Sequence, residues 1–285
     1  MGILTYMAPS DWQQQEQLHA ARTRPWVEAR LRRRQLGQNH PVEDFLFDYY
    51  PFRPSLLQRW TPGYGVVLQG LEAVKFLHHP HFISYAEGGI CLAPLPDQRR
   101  NGLAWAVQVL RAIDGREAQW GCYGLHEWAM VYRSTELRHA QVPLRLSADA
   151  LAAFVESQRI CCSHYDAFRF FTKGARPLNR LQPEKGRQPE FEQPGCLHAN
   201  MDLYKWANKF APWVPAELIA DTFELARAIR EVDMRASPYD LQTQGYAPIP
   251  IETAAGRSEY EQYQRSFAEA ARPLRAALLR CLEKL

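Results

Sequence analysis

PAELIADTFELARAIREVDMRA (215–236) is the stretch that decides the fold class. Leu218, Ile219, Leu225, Ile229 and Val232 recur at helical spacing, with polar and charged residues between them. That period lays the apolar groups along one stripe and predicts an amphipathic helix on a core. LHANMDLYKWANKF (197–210) upstream also reads as helix, with Pro212 and Pro215 marking the break between the two. SADALAAFVESQ (147–158) opens on Ser147, a good N-cap residue. Further helices are expected over 10–37, from an N-cap at Ser10 to a stop at Gly37; over 41–50, ended by Pro51; over 101–113; and over 124–133. A last helix is expected from a Ser258/Glu261 capping box, with Pro273 as a kink.

Residues 61–96 break this pattern. Gly63, Gly65, Gly70, Gly88 and Gly89 punctuate short apolar runs such as Val66–Leu68 and Phe82–Tyr85, which read as strands or irregular packing. Residues 176–193 are polar and carry Pro177, Pro183 and Pro189, which predicts a surface loop or lid. The expected architecture is mainly α: a single helical domain over 1–285, with a small β or irregular insert at 61–96.

Composition sets the outer limits. With 285 residues, 46% hydrophobic and 23% charged, the chain is neither disordered nor fibrous. A net charge of +3 is too small to argue by itself for nucleic acid. There is no apolar run long enough for a membrane span. Six cysteines occur without a C-x-x-C pair, which argues against a cysteine zinc ribbon and for reduced thiols in the cytoplasm. MGILTYMAPSDW lacks the apolar core of a signal peptide, and Tyr6 stands where a myristoylation pattern has Ser or Thr.

Histidine and carboxylate concentrate in five segments: His40 with Glu43 and Asp44, His126 with Glu127, His164 with Asp166, His198 with Asp202, and Glu231 with Asp233. On a helix, His198, Asp202 and Lys205 share one face. His126 and Glu127 are neighbours and point different ways, so at most one is expected in a given pocket. Buried polar groups must satisfy one another, so several of these should converge in one polar cavity. Asp202 or Glu127 would activate water there, with His198 as acid or base. Trp128, Tyr204, Trp206, Lys205 and Arg169 stand beside these groups and are expected to bind substrate. In the alternative reading, His126, His164 and His198 hold iron or zinc in an oxygenase or hydrolase of a small aromatic molecule. H-E-x-x-H is absent, and His78, His79 and His81 flank a proline and read as surface. G-x-x-x-x-G-K-S/T, G-x-G-x-x-G and G-x-S-x-G are also absent, against a P-loop, NAD-type Rossmann or α/β-hydrolase enzyme.

HPVEDFLFDYYPFRP (40–54), YGLHEWAMVYR (123–133), HYDAFRFF (164–171) and PGCLHANMDLYKWA (194–207) resemble bacterial proteins labelled 3-methyladenine DNA glycosylase, over most of the chain. The resemblance implies an N-glycosidic hydrolase without a cofactor, acting on an alkylated base in DNA or on a nucleoside. It would need Asp202 or Glu127 near the glycosidic carbon and Trp128, Tyr204, Trp206 and Trp213 as walls for a flipped base. Arg32, Arg33 and Arg34 would meet phosphate. TPGYG (61–65) only partly echoes the helix-hairpin-helix turn of known glycosylases, and no Asp follows before Asp97. A noncatalytic ligand-binding protein is the third reading.

Overall fold

The computed structural model, which describes residues 4–135, 137 and 139–285, is mainly helical with one small sheet. The chain divides into two compact units, one of Met1–Val107, Leu203–Glu224 and Pro273–Leu285, the other of Gln108–Asp202 and Leu225–Arg272. The sequence reading, a single domain over 1–285, drew no such division. The divisions fall inside helices, and a periodic pattern shows that a helix is amphipathic without showing where along it the core changes.

In the first unit, β1 (Thr5–Met7) leads into α1 (Pro9–Gln35). Pro9 takes the first helical turn after Ala8, so Ser10 lies inside the helix and is not its cap. Proline suits that position because its missing N–H has no intrahelical partner there anyway. Trp12, His19, Thr23 and Val27 form the buried face. Trp12 Nε1 donates to Gln69 O at 2.9 Å, and His19 Nε2 lies 2.8 Å from Leu57 O. The helix expected over 41–50 shrinks to α2 (Phe45–Tyr49), because 40–44 is a turn in which Asp44 N donates to His40 O at 3.0 Å. After α3 (Pro54–Gln58) come β2 (Val66–Leu68), a 3₁₀ segment (Leu71–His78), β3 (Phe82–Ser84) and β4 (Ile90–Leu92).

The insert is therefore a real sheet, with strand order β1-β2-β4-β3. β1 runs parallel to β2, pairing Tyr6 with Val67, and the other two pairings are antiparallel. β1 was not anticipated: three residues carry too little alternation to read as a strand.

The second unit begins within α4 (Arg100–Asp114) and contains α5 (Leu125–Val131), α6 (Ala148–Ser157), α7 (Tyr165–Phe168) and α8 (Gln188–Phe191). Parts of α9 (Leu197–Lys209), α10 (Ala216–Arg235) and α11 (Ala254–Leu282) complete it. Ser147 caps α6 as expected, its Oγ accepting from Ala150 N at 3.3 Å. α11 starts ahead of the expected capping box. Thr253 Oγ1 accepts from Gly256 N at 3.0 Å, which leaves Ser258 and Glu261 inside the helix with Pro273.

Residues 176–193 are largely irregular, with an exposed middle and fixed ends. Asn179 is buried and exchanges hydrogen bonds with Cys162 N and O at 2.8 and 2.9 Å. Gln193 does the same with Gln119 N and O at 2.9 and 3.1 Å. Among the described residues, no helix is long and apolar enough to cross a membrane. The N-terminal targeting pattern begins with residues 1–3, which lie outside the described residues.

Candidate metal centre

Three histidines meet inside the second unit. His126 comes from the first turn of α5, entered through Tyr123 at φ 48° and Gly124 at φ 72°. Both lie in the left-handed region, which costs tyrosine more than glycine. His198 comes from the first turn of α9. Gly195 lies just before it, where a Cβ would fall 2.5 Å from Gln119 O, so only glycine admits that approach. His164 caps α7, its Nδ1 accepting from Ala167 N at 3.3 Å. The His126 and His198 rings meet edge to face at 4.4 Å, and those of His164 and His198 stack at 5.4 Å. All three are buried.

The groups around each ring assign different tasks. His126 Nε2 lies 2.7 Å from Asp233 Oδ1, and its Nδ1 lies 3.3 Å from Cys122 Sγ, in the turn that precedes α5. Asp233 Oδ2 accepts from Arg230 at 3.0 Å, and the same guanidinium nitrogen donates to Glu127 Oε1 at 2.9 Å. His126 and Glu127 thus enter one network from opposite ends, although neighbours on a helix point apart. Arg230 on α10 spans the gap, which was not expected.

His164 is different. Because its Nδ1 accepts a backbone N–H, its proton sits on Nε2, which donates to Asp202 Oδ2 at 3.2 Å. Glu192 Oε1 lies 3.7 Å from the same nitrogen. With both nitrogens engaged, His164 has no lone pair left for an ion. His198 Nδ1 is buried and has no hydrogen-bond partner.

The electrostatics follow. Burial alone would lower the His126 pKa, but the Asp233 carboxylate and Cys122 hold it well above the ordinary value. Asp233 is held well below the carboxylate range, because His126 and Arg230 outweigh its burial. Burial, reinforced by His126, drives His198 well below the usual histidine value, so that ring is neutral and its lone pair is available. Contact with Cys162, together with His126, draws the Cys122 thiol well below its usual range against burial. Cys162 is pushed well above that range by Cys122 and by burial.

His126, His198 and Asp233 form the donor set that these contacts leave. Each offers one ligand atom, and the three atoms lie within 4.8 Å of one another at three buried side chains. The convergence of His126, His164, His198 and Asp202 expected from the sequence is present. The cluster with facing ligand atoms joins Asp233, rather than the expected His164, to His126 and His198.

The remaining expected site residues fall elsewhere. Asp166 is half-buried and pairs with the exposed Arg169 at 3.2 Å, while Arg169 lies over Phe170. Trp128 is packed between Phe154 and Arg145, with Nε1 donating to Ala236 O at 2.9 Å. Glu43 and Asp44 belong to the first unit. Asp44 accepts from Arg33 at 2.6 Å, from Arg30 at 3.2 Å and from His40 N at 2.9 Å. Arg33, expected to meet phosphate, is thereby occupied. Also in the first unit, Tyr204 packs on Tyr50, Phe52 and Phe223, and Lys205 lies over the buried Trp206. Cys122, Arg230 and the place of Asp233 beside His126 were missed. The available signal was Arg230 three residues before Asp233, at helical spacing; Cys122 reaches His126 through the turn at Tyr123 and Gly124, which spacing does not reveal.

No protein-family model, curated protein or solved structure matches the chain.

Proposed function

We propose that the chain is a metal-dependent enzyme that holds one divalent transition-metal ion between His126, His198 and Asp233. One observation carries the reading: three buried side chains bring one ligand atom each within 4.8 Å of one another, and His198 Nδ1 has no hydrogen-bond partner. Ligand atoms roughly 2.0–2.2 Å from one zinc ion lie within about 4.4 Å of each other, so small side-chain rotations close the set. Two imidazoles and a carboxylate suit zinc or iron, and three protein ligands leave coordination positions for water or substrate. Such an ion would supply Lewis acidity for hydrolysis or, as iron, a centre for oxygen chemistry.

The chain's own groups do the positioning. Arg230 holds Asp233 Oδ2 and leaves Oδ1 facing His126. Cys122 accepts the Nδ1 proton of His126, which frees Nε2 to face the ion. His164, held by Asp202, backs the His198 ring from its stacked side. The glycosylase reading would set Asp202 or Glu127 beside a base between Trp128 and Tyr204. Those carboxylates are engaged by His164 and Arg230, and the two aromatic side chains are packed. All six cysteines are free thiols, in keeping with a reducing compartment, and we place the protein in the cytoplasm.

The test is elemental analysis of protein purified without chelator, beside Asp233→Asn. Near-stoichiometric zinc or iron, lost in the folded variant, is the expected result. Wild-type protein that neither carries nor takes up either metal would end the proposal.

A further inference from the structure

The first unit contains a second constellation that the metal reading does not use. A cavity of about 260 Å³ opens between α3, the 3₁₀ segment with β3, and the residues joining α9 to α10. Its wall is mostly apolar and aromatic, with Phe52, Trp60, Phe76 and Phe82 as the large side chains. Phe76 and Phe82 stack at 5.2 Å, and Trp60 tilts against Phe76 at 5.8 Å. His79 and His81, expected as surface residues, are half-buried in this wall.

The charge on the wall has one sign. Arg59 and Lys209 line it, and no carboxylate side chain does. Among the described residues, neither cation has an ion-pair partner. Arg99 adds a third positive group, with its guanidinium 4.9 Å from the Trp213 ring and a hydrogen bond to Lys209 O. Trp213 is in turn 4.6 Å from the His81 ring. Glu217 is the carboxylate tied to this wall, and it accepts from Trp60 Nε1 at 2.7 Å. The surroundings register the excess: burial and then Lys205 and Arg99 lower the Lys209 pKa, and burial followed by Arg59 lowers that of His79.

We propose that this cavity binds a compact aromatic carboxylate, with its ring between the aromatic side chains and its anionic end at Arg59 and Lys209. A flat apolar body is what the rings accept, and a single negative charge is what the unpaired cations lack. The volume is at the small end for ligand pockets and suits roughly one or two fused rings. A nucleic acid backbone would need a longer track of cations than these. The inference does not depend on the metal centre.

The probes are 2-naphthoate and its neutral isostere 2-naphthamide, followed by calorimetry and by quenching of tryptophan fluorescence, with Trp60 in the wall. Saturable binding of the carboxylate is expected, at least about tenfold tighter than the amide, the size of one charge-assisted hydrogen bond. Arg59→Gln and Lys209→Met should each weaken the carboxylate by about tenfold and leave the amide nearly unchanged. Both residues are exposed, so these variants should fold, and thermal unfolding checks that they do. Arg24→Gln, at an arginine of the same unit that does not line the cavity, should bind as wild type does. No binding of 2-naphthoate at millimolar concentration, equal affinity for acid and amide, or full affinity in both cavity variants would overturn the proposal.

Discussion

Asp44 in the first unit and Asp233 in the second are each shut off from solvent, yet their surroundings are completed in different ways. Around Asp44, the fork of Arg33, the guanidinium of Arg30 and the N–H of His40 occupy both oxygens. Nothing nearby waits for a partner, and the cluster ties α1 to the turn before α2. Around Asp233, Oδ1 faces His126 and Oδ2 faces Arg230, while neighbouring His198 keeps a neutral nitrogen with no hydrogen-bond partner. A buried carboxylate closed by cations and N–H groups serves the fold. One grouped with an unpartnered imidazole is an arrangement that a cation completes.

Asp44→Ala is the sharpest way to break this contrast from the structural side. It leaves Arg33 facing an empty, partly buried space while Arg30 keeps Asp48, so stability should fall by roughly 3–5 kcal/mol. Metal content should stay unchanged, as read by denaturant unfolding and elemental analysis on one preparation. The pH dependence has a definite sign. Burial would raise the Asp44 pKa, but Arg33 and the His40 N–H bring it below the ordinary value. Its stabilisation is therefore complete above about pH 4 and disappears as pH falls through the depressed folded value. The wild-type advantage over Asp44→Ala should shrink along that descent. An advantage that stays constant down to acid unfolding would show that charge is not its source.

Cys122→Ala works on the other side of the contrast. Cys122 is a positioning residue that holds His126 through Nδ1, and losing such a partner typically weakens metal affinity by about 10–100-fold. Competition with a chromophoric chelator gives the number, and an unchanged affinity would remove Cys122 from the account. The smallest effect should come from Asp202→Asn. The amide oxygen can still accept from His164 Nε2, so metal affinity should stay within about tenfold of wild type. If Asp202 were the acid or base of a glycosylase, turnover on an alkylated-base substrate would instead fall by roughly 10²–10⁴ with folding intact.

The mainly α architecture was legible because α6, α9 and α10 carry their apolar residues at helical spacing and end at strong caps or prolines. The boundary errors have local causes. Pro9 moved the start of α1 ahead of Ser10, and Thr253 displaced Ser258 as the cap of α11. β1 was illegible because three residues become a strand only through Val66–Leu68, far along the chain. The site was half legible. His126, His164 and His198 stood out as repeated His/carboxylate segments, and they do converge. The choice among them turned on which ring nitrogens the backbone had already taken, as Ala167 N takes His164 Nδ1, and spacing does not encode that. Asp233 lies 107 residues from His126, so their pairing is a property of the fold alone.

The most direct measurement is anomalous diffraction at the zinc edge from crystals grown with zinc, repeated for His198→Phe. The substitution keeps a ring in place and removes the nitrogens; the six-membered ring is slightly larger, which costs about 1–3 kcal/mol, and thermal unfolding checks that the fold is retained. The account predicts one strong peak in the wild-type protein, within bonding distance of His126, His198 and Asp233, and its absence from the variant. A peak held by Cys122 and Cys162, or one that survives His198→Phe undiminished, would contradict it.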